Sequence, residues 1–116
     1  MTAETKPDLS GDSLERLRFA LREFAAAREW EPFHTPKNLA MALMVEAAEL
    51  LEHFQWLTPE QSARLDAAQR QAVAHEIADV LIYLTRLADL LEIEPVAAAA
   101  EKIRINAIKY PPPKLR

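Results

Sequence analysis

Four acidic residues carry the chemistry that this chain of 116 residues is equipped to do: Glu46, Glu49, Glu76 and Asp79. The first two stand three apart within MALMVEAAELLEHFQW (41–56), and the other two three apart within HEIADVLIYL (75–84). Residues at i, i+3 and i+7 share one face of a helix. Glu46, Glu49, His53 and Trp56 therefore form one stripe, and Glu76, Asp79, Tyr83 and Arg86 another. A pair of acids on a solvated helix face is ordinary decoration, and each pair has that bland reading. Glu46 fits it poorly, because its neighbours are Met44, Val45, Ala47 and Ala48. Burying an unpaired charge costs several kcal/mol, so such groups are paired, neutralised or metal-bound. If the two helices pack antiparallel, the four acids converge, and either their pKa values rise or a cation neutralises them. With oxygen donors alone, no cysteine and no histidine at ligand spacing, a hard ion such as Mg²⁺ or Mn²⁺ is favoured. A di-iron bundle is the structural competitor, but it wants Glu-x-x-His. Here Glu49 and Asp79 stand where those histidines would be.

The totals narrow the field further. The chain has one glycine, Gly11. A P-loop or a dinucleotide-binding turn needs several glycines so that backbone N–H groups can cradle phosphate, so phosphates here would have to be held by side chains and metal ions. The formal net charge of −4, with 28% charged residues, supplies no broad electrostatic reason to bind a nucleic acid polymer or an anionic membrane. The absence of cysteine excludes disulfides and thiolate chemistry. Residues 1–12 hold no apolar leader, and no run approaches the length of a membrane span. The expectation is a cytoplasmic protein.

Helices must position these residues. Residues 1–12 read as a disordered polar tail. Ser13, or Asp12 before it, caps a helix whose apolar face is Leu14, Leu17, Leu21 and Phe24 and which reaches about Trp30. Thr35-Pro36 is a cap followed by proline in the first turn, and opens a second helix running to about Leu57. Thr58-Pro59-Glu60 opens a short connection. Val73, Ile77, Val80, Leu84, Leu87 and Leu91 line one face of a third long helix. Pro95 opens a fourth, to about Tyr110, and residues 111–116 form an extended tail. No stretch alternates with period two. The pattern predicts an all-α domain over 13–110, an antiparallel four-helix bundle. The second and third long helices are apolar on more than one face, which points to a homo-oligomer.

The two acid pairs, separated by 26 residues, resemble the E-x2-E…E-x2-D signature of the MazG-like all-α nucleoside triphosphate pyrophosphohydrolases. Further stretches are similar to the dCTP pyrophosphatase branch of that superfamily: REW (28–30), FHTPKNLAMAL (33–43), EAAELLEHFQW (46–56), HEIADVLIYL (75–84) and KIRINAIKYP (102–111). The resemblance spans roughly residues 13–111. It implies a Mg²⁺-dependent enzyme that splits a (deoxy)nucleoside triphosphate, with dCTP or a modified dCTP preferred, into monophosphate and pyrophosphate for pool sanitation. It also implies a homo-oligomer, often a tetramer. Carried over, Glu46, Glu49, Glu76 and Asp79 are metal ligands; the chemistry then asks one carboxylate, with Glu49 the candidate, to accept the attacking water's proton. Trp30, His34 and Trp56 border the nucleobase, and Tyr83, Lys102, Asn106, Lys109 and Tyr110 meet sugar and phosphates. Flat rings suit base stacking. Lys102, Asn106 and Lys109 share a face of the last helix. Each also has a plain alternative: the tryptophans as plugs at bundle ends, Tyr83 as a core residue, His34 as a loop residue, the lysines as solvated charges. Two other functions stay open, a pyrophosphohydrolase of different base preference and a non-catalytic helical oligomerisation module.

Overall fold

The computed structural model describes residues 6, 8, 9 and 11–114. Most of the tail expected over 1–12 and the last two residues of the tail at 111–116 lie outside the described residues. The fold is all-α. Its helices are α1 (Ser13–Ala27), α2 (Pro36–Glu52), the short α3 (Pro59–Ser62), α4 (Ala67–Leu90) and α5 (Pro95–Lys109), with one 3₁₀ turn at Glu31–Phe33. Among the described residues there is no strand.

The helix starts follow from local side chains. Asp12 accepts from the Glu15 N–H at 3.2 Å and caps α1. Thr35 Oγ1 accepts from the Asn38 N–H at 3.2 Å, with Pro36 opening α2. Thr58 with Gln61, and Asp66 with Gln69, form reciprocal capping boxes for α3 and α4. Each cap contributes about 1 kcal/mol.

The helix ends follow a different rule. α1 stops at Ala27, three residues before the expected Trp30. The Glu29 N–H donates to Ala26 O (3.1 Å) and the Trp30 N–H to Ala25 O (3.0 Å), while Glu29 takes φ 55°. α4 ends identically: the Glu92 N–H donates to Asp89 O (3.1 Å) and the Ile93 N–H to Ala88 O (2.9 Å), with Glu92 at φ 55°. These are Schellman caps with glutamate in the left-handed position where glycine is usual. α2 stops at Glu52 rather than near Leu57. From there the N–H groups of His53, Phe54 and Leu57 turn back to carbonyls only three residues earlier. His53 and Trp56 thus lie past the helix that was to carry them.

α4 is the central element, paired most extensively with α2 and next with α1. His34 bonds Arg86 and Glu46 interacts with Glu76, so an advance along α2 is a retreat along α4: the pair is antiparallel. The core is small. Leu39 (1% exposed), Ala25, Val73 and Ala88 are its buried apolar residues, joined by Thr85 and Arg86. Only Val73 of the expected α4 face is fully buried, while Ile77 and Leu84 are open. The radius of gyration is 17.7 Å with extents of 63 × 36 × 30 Å, whereas a compact chain of this length has about 13 Å. The accessible surface of 9614 Å² likewise exceeds the roughly 6,400 Å² of a folded monomer of this mass. α5 accounts for part of this excess, with Val96, Ile103 and Ile108 exposed by 63–74%.

Candidate metal centre and base pocket

Glu46 and Glu49 on α2 face Glu76 on α4, and one oxygen from each lies within 4.8 Å of the others. Asp79, one turn further along α4, stands outside this group of three but near enough for its charge to act on Glu46. Burial and the adjacent carboxyls of Glu76 and Glu49 push the Glu46 pKa up to about 7. Glu46 Oε2 and Glu76 Oε2 are buried without a hydrogen-bond partner. Carboxylates only accept, so two of them can bond each other only through a retained proton. The alternative is a cation. Three convergent oxygen donors with two orphaned atoms fit a hard divalent ion, which takes oxygen ligands and tolerates the remaining positions as water.

A second feature lies further along α4. A cavity of about 160 Å³ is lined by Leu21, Phe24 and Ala25 of α1, Trp30 and His34 of the loop, and Ile82, Tyr83 and Arg86 of α4. Trp30 meets Phe24 edge-on, with ring centroids 5.6 Å apart, and His34 at 5.8 Å and 52°. The walls are apolar and aromatic, suited to a flat ring. Arg86 Nε donates to His34 Nδ1 at 3.3 Å. Burial, and then the Arg86 charge, lower the His34 pKa below its ordinary value.

Arg86 is in turn held by Asp89, at 3.8 Å from Oδ2. The Asp89 carboxylate, its side chain 5% exposed, also accepts both prongs of the Arg22 guanidinium at 2.6 Å each and lies 3.7 Å from Arg18. The Arg22 bonds hold its pKa below the usual carboxylate range. This hub fastens α1 to α4 and backs the wall of the cavity.

Of the twelve site residues expected from sequence, the chain brings together Glu46, Glu49 and Glu76, with Asp79 beside them, and separately Trp30, His34 and Tyr83. Trp56 is 86% exposed in the turn after α2. Lys102, Asn106, Lys109 and Tyr110 sit on or just after α5 and are not among the residues that form either feature. Lys109 Nζ stacks over the Tyr110 ring at 5.3 Å. Leu21, Phe24, Ala25, Ile82 and Arg86 complete the cavity without having been expected there. For Phe24 the signal was present, since it follows Leu21 by three on the apolar face of α1. For Arg86 the cue was its place on the same stripe as Tyr83.

An all-α fold with paired acids facing one another across two helices defines a class, and the chain belongs to the MazG-like family, whose model matches residues 41–115. Among individual proteins, it is 42% identical over 101 residues to human dCTP pyrophosphatase 1, covering 85% of this chain and 59% of that protein. It is 39% identical over 104 residues to the bovine dCTP pyrophosphatase 1, covering 88% and 62%. The chain thus spans about three-fifths of the length of these curated relatives. A solved structure of a pyrophosphatase from Archaeoglobus fulgidus superposes with a TM-score of 0.82 at 42% identity, covering 92% of this chain and all of that one.

Proposed function

We propose that the chain is a Mg²⁺-dependent nucleoside triphosphate pyrophosphohydrolase that converts dCTP, or a modified dCTP, to the monophosphate and pyrophosphate in the cytoplasm, clearing the nucleotide pool. The observation that carries this reading is the spacing of the two features along one helix. Tyr83 of the cavity lies seven residues from Glu76 of the acid cluster, about 10 Å along the axis, a span suited to a nucleoside with its base at one end and its first phosphates at the other. The relatives named for dCTP pyrophosphatase activity supply the base preference.

In this reading Glu46, Glu49, Glu76 and Asp79 hold the metal. When bound, the ion would supply charge neutralisation at the phosphates and a water of lowered pKa. Glu49 accepts the proton of the water that attacks the α-phosphorus, and pyrophosphate leaves from the opposite side. Trp30, His34 and Trp56 clasp the base. Tyr83, Lys102, Asn106, Lys109 and Tyr110 contact sugar and phosphates, with α5 brought up by assembly. The domain at work is 13–110, a four-helix bundle completed in a homotetramer. The surface left open supports this assembly. The excess over a compact monomer is about 3,000 Å², more than the roughly 800 Å² per partner that one standard interface buries.

Pyrophosphate release from a panel of canonical and modified nucleoside triphosphates with Mg²⁺ tests the reading. The expected result is turnover led by cytosine deoxynucleotides, abolished in Glu49→Gln. No turnover of any nucleotide would overturn it.

A further inference from the structure

Arg86 is an uncommon tenant for the wall of an apolar cavity. It is 7% exposed and bridges two spaces. On one side it lines the aromatic cavity with His34 and Tyr83. On the other it borders a cleft with Arg22, Glu31 and Asp89. A guanidinium in a protein is always protonated and has no acceptor. Its Nε–H, 3.3 Å from His34 Nδ1, therefore requires that Nδ1 offer a lone pair. The ring proton then sits on Nε2. A doubly protonated ring would set N–H against N–H.

We propose that Arg86 is the positioning residue of the base pocket: by donating to His34 Nδ1 it fixes the imidazole as the neutral Nε2–H tautomer, so that His34 meets a bound base solely as a hydrogen-bond donor and selects a base edge that offers an acceptor, as cytosine does at N3 and O2. The substrate half of this inference rests on the pyrophosphohydrolase reading; the tautomer half does not. Asp89 keeps Arg86 in place from behind, while Arg22 occupies the same carboxylate from α1. The groups around the ring are consistent with a single controlling partner. α1 contributes Leu21, Phe24 and Ala25, none of them titratable. α4 contributes Tyr83 and Arg86. Glu31, on the loop of His34 itself, lies across the far side of Arg86. Desolvation and the Arg86 charge both act on His34 in the direction the lock requires.

Long-range ¹⁵N–¹H correlation of the histidine side chains, in nucleotide-free wild type, reads the tautomer directly. The expected spectrum shows an unprotonated Nδ1 and a protonated Nε2 for His34 at pH 7 to 8. A proton on Nδ1, or rapid exchange between tautomers, overturns the proposal whatever the enzyme does. Kinetics then separate positioning from mere structure. Arg86→Met leaves the Arg22–Asp89 pair intact, and its KM for dCTP is expected to be about tenfold above wild type at pH 8, with kcat within twofold. In a His34→Phe background, Arg86→Met should add no further penalty. Additive effects in the double variant refute the positioning role. Wild type that turns over no nucleotide refutes the substrate half together with the pyrophosphohydrolase reading, and the NMR result decides the tautomer on its own.

Discussion

Replacing Glu46 by glutamine should make the metal-free protein more stable at neutral and alkaline pH while weakening its hold on metal. The sign follows from linkage. Glu46 titrates near 7 in the folded chain against an ordinary value of 4.5. Between those values the folded state binds a proton that the unfolded state has released, so stability falls as pH rises through that window. A shift of this size is worth at most about 3 kcal/mol. Because water reaches the half-buried carboxyls, about 1–2 kcal/mol is the expected loss. Glutamine keeps the shape, cannot ionise, and can donate to Glu49 or Glu76. The assay is thermal or urea denaturation in chelator, at fixed protein concentration, from pH 5 to 8. Wild type should lose about 1–2 kcal/mol relative to Glu46→Gln across that range, several degrees in Tm. Adding millimolar Mg²⁺ at pH 8 should restore wild type and do little for the variant. Parallel stability curves for the two proteins, or equal rescue by Mg²⁺, would refute the view that these carboxylates repel one another and are relieved by a cation.

Further outcomes follow from the same structure. Mn²⁺ affinity, by isothermal titration, should climb about tenfold per pH unit below pH 7 and level off above it, because the Glu46 proton competes for the site; Glu76→Gln should lower it about tenfold or more. Asp89→Ala removes the carboxylate shared by Arg18, Arg22 and Arg86 and leaves the buried Arg86 uncompensated, so urea denaturation should register a loss of about 3 kcal/mol; under 1 kcal/mol would refute the hub. Glu29→Gly and Glu92→Gly, each relieving a positive φ, should stabilise by about 0.5 kcal/mol in thermal melts, and a loss at either would refute the account of the helix ends.

What could be read from sequence was what is local. Ser13 or Asp12 (the cap is Asp12), Thr35-Pro36 and Thr58-Pro59 announce helix starts because a cap acts on N–H groups two or three residues away. The acid stripes were legible because three-residue spacing within apolar runs leaves so few innocent explanations. Helix ends were harder. With a single glycine, α1 and α4 close through Glu29 and Glu92, whose side chains carry no sign of a left-handed backbone. The extent of the second helix was misjudged for a related reason: the stripe that carried His53 and Trp56 was drawn past Glu52, where the chain has already tightened into turns. The Arg86–His34 and Arg22–Asp89 contacts span 52 and 67 residues, and no periodicity encodes which cation finds which partner. The position of α5 is likewise set by surfaces rather than by spacing.

The Asp89 hub ties together two properties that protein engineers usually treat as independent. One carboxylate moors the first helix through Arg22 and, through Arg86, supports the histidine that lines the aromatic cavity. On the proposed function, attempts to retune ligand preference at that wall will therefore be felt in melting behaviour, and selection for robustness alone will drag ligand preference with it. Libraries aimed at this region should vary Arg22, Arg86 and Asp89 jointly, since single replacements sample only the broken halves of a shared arrangement.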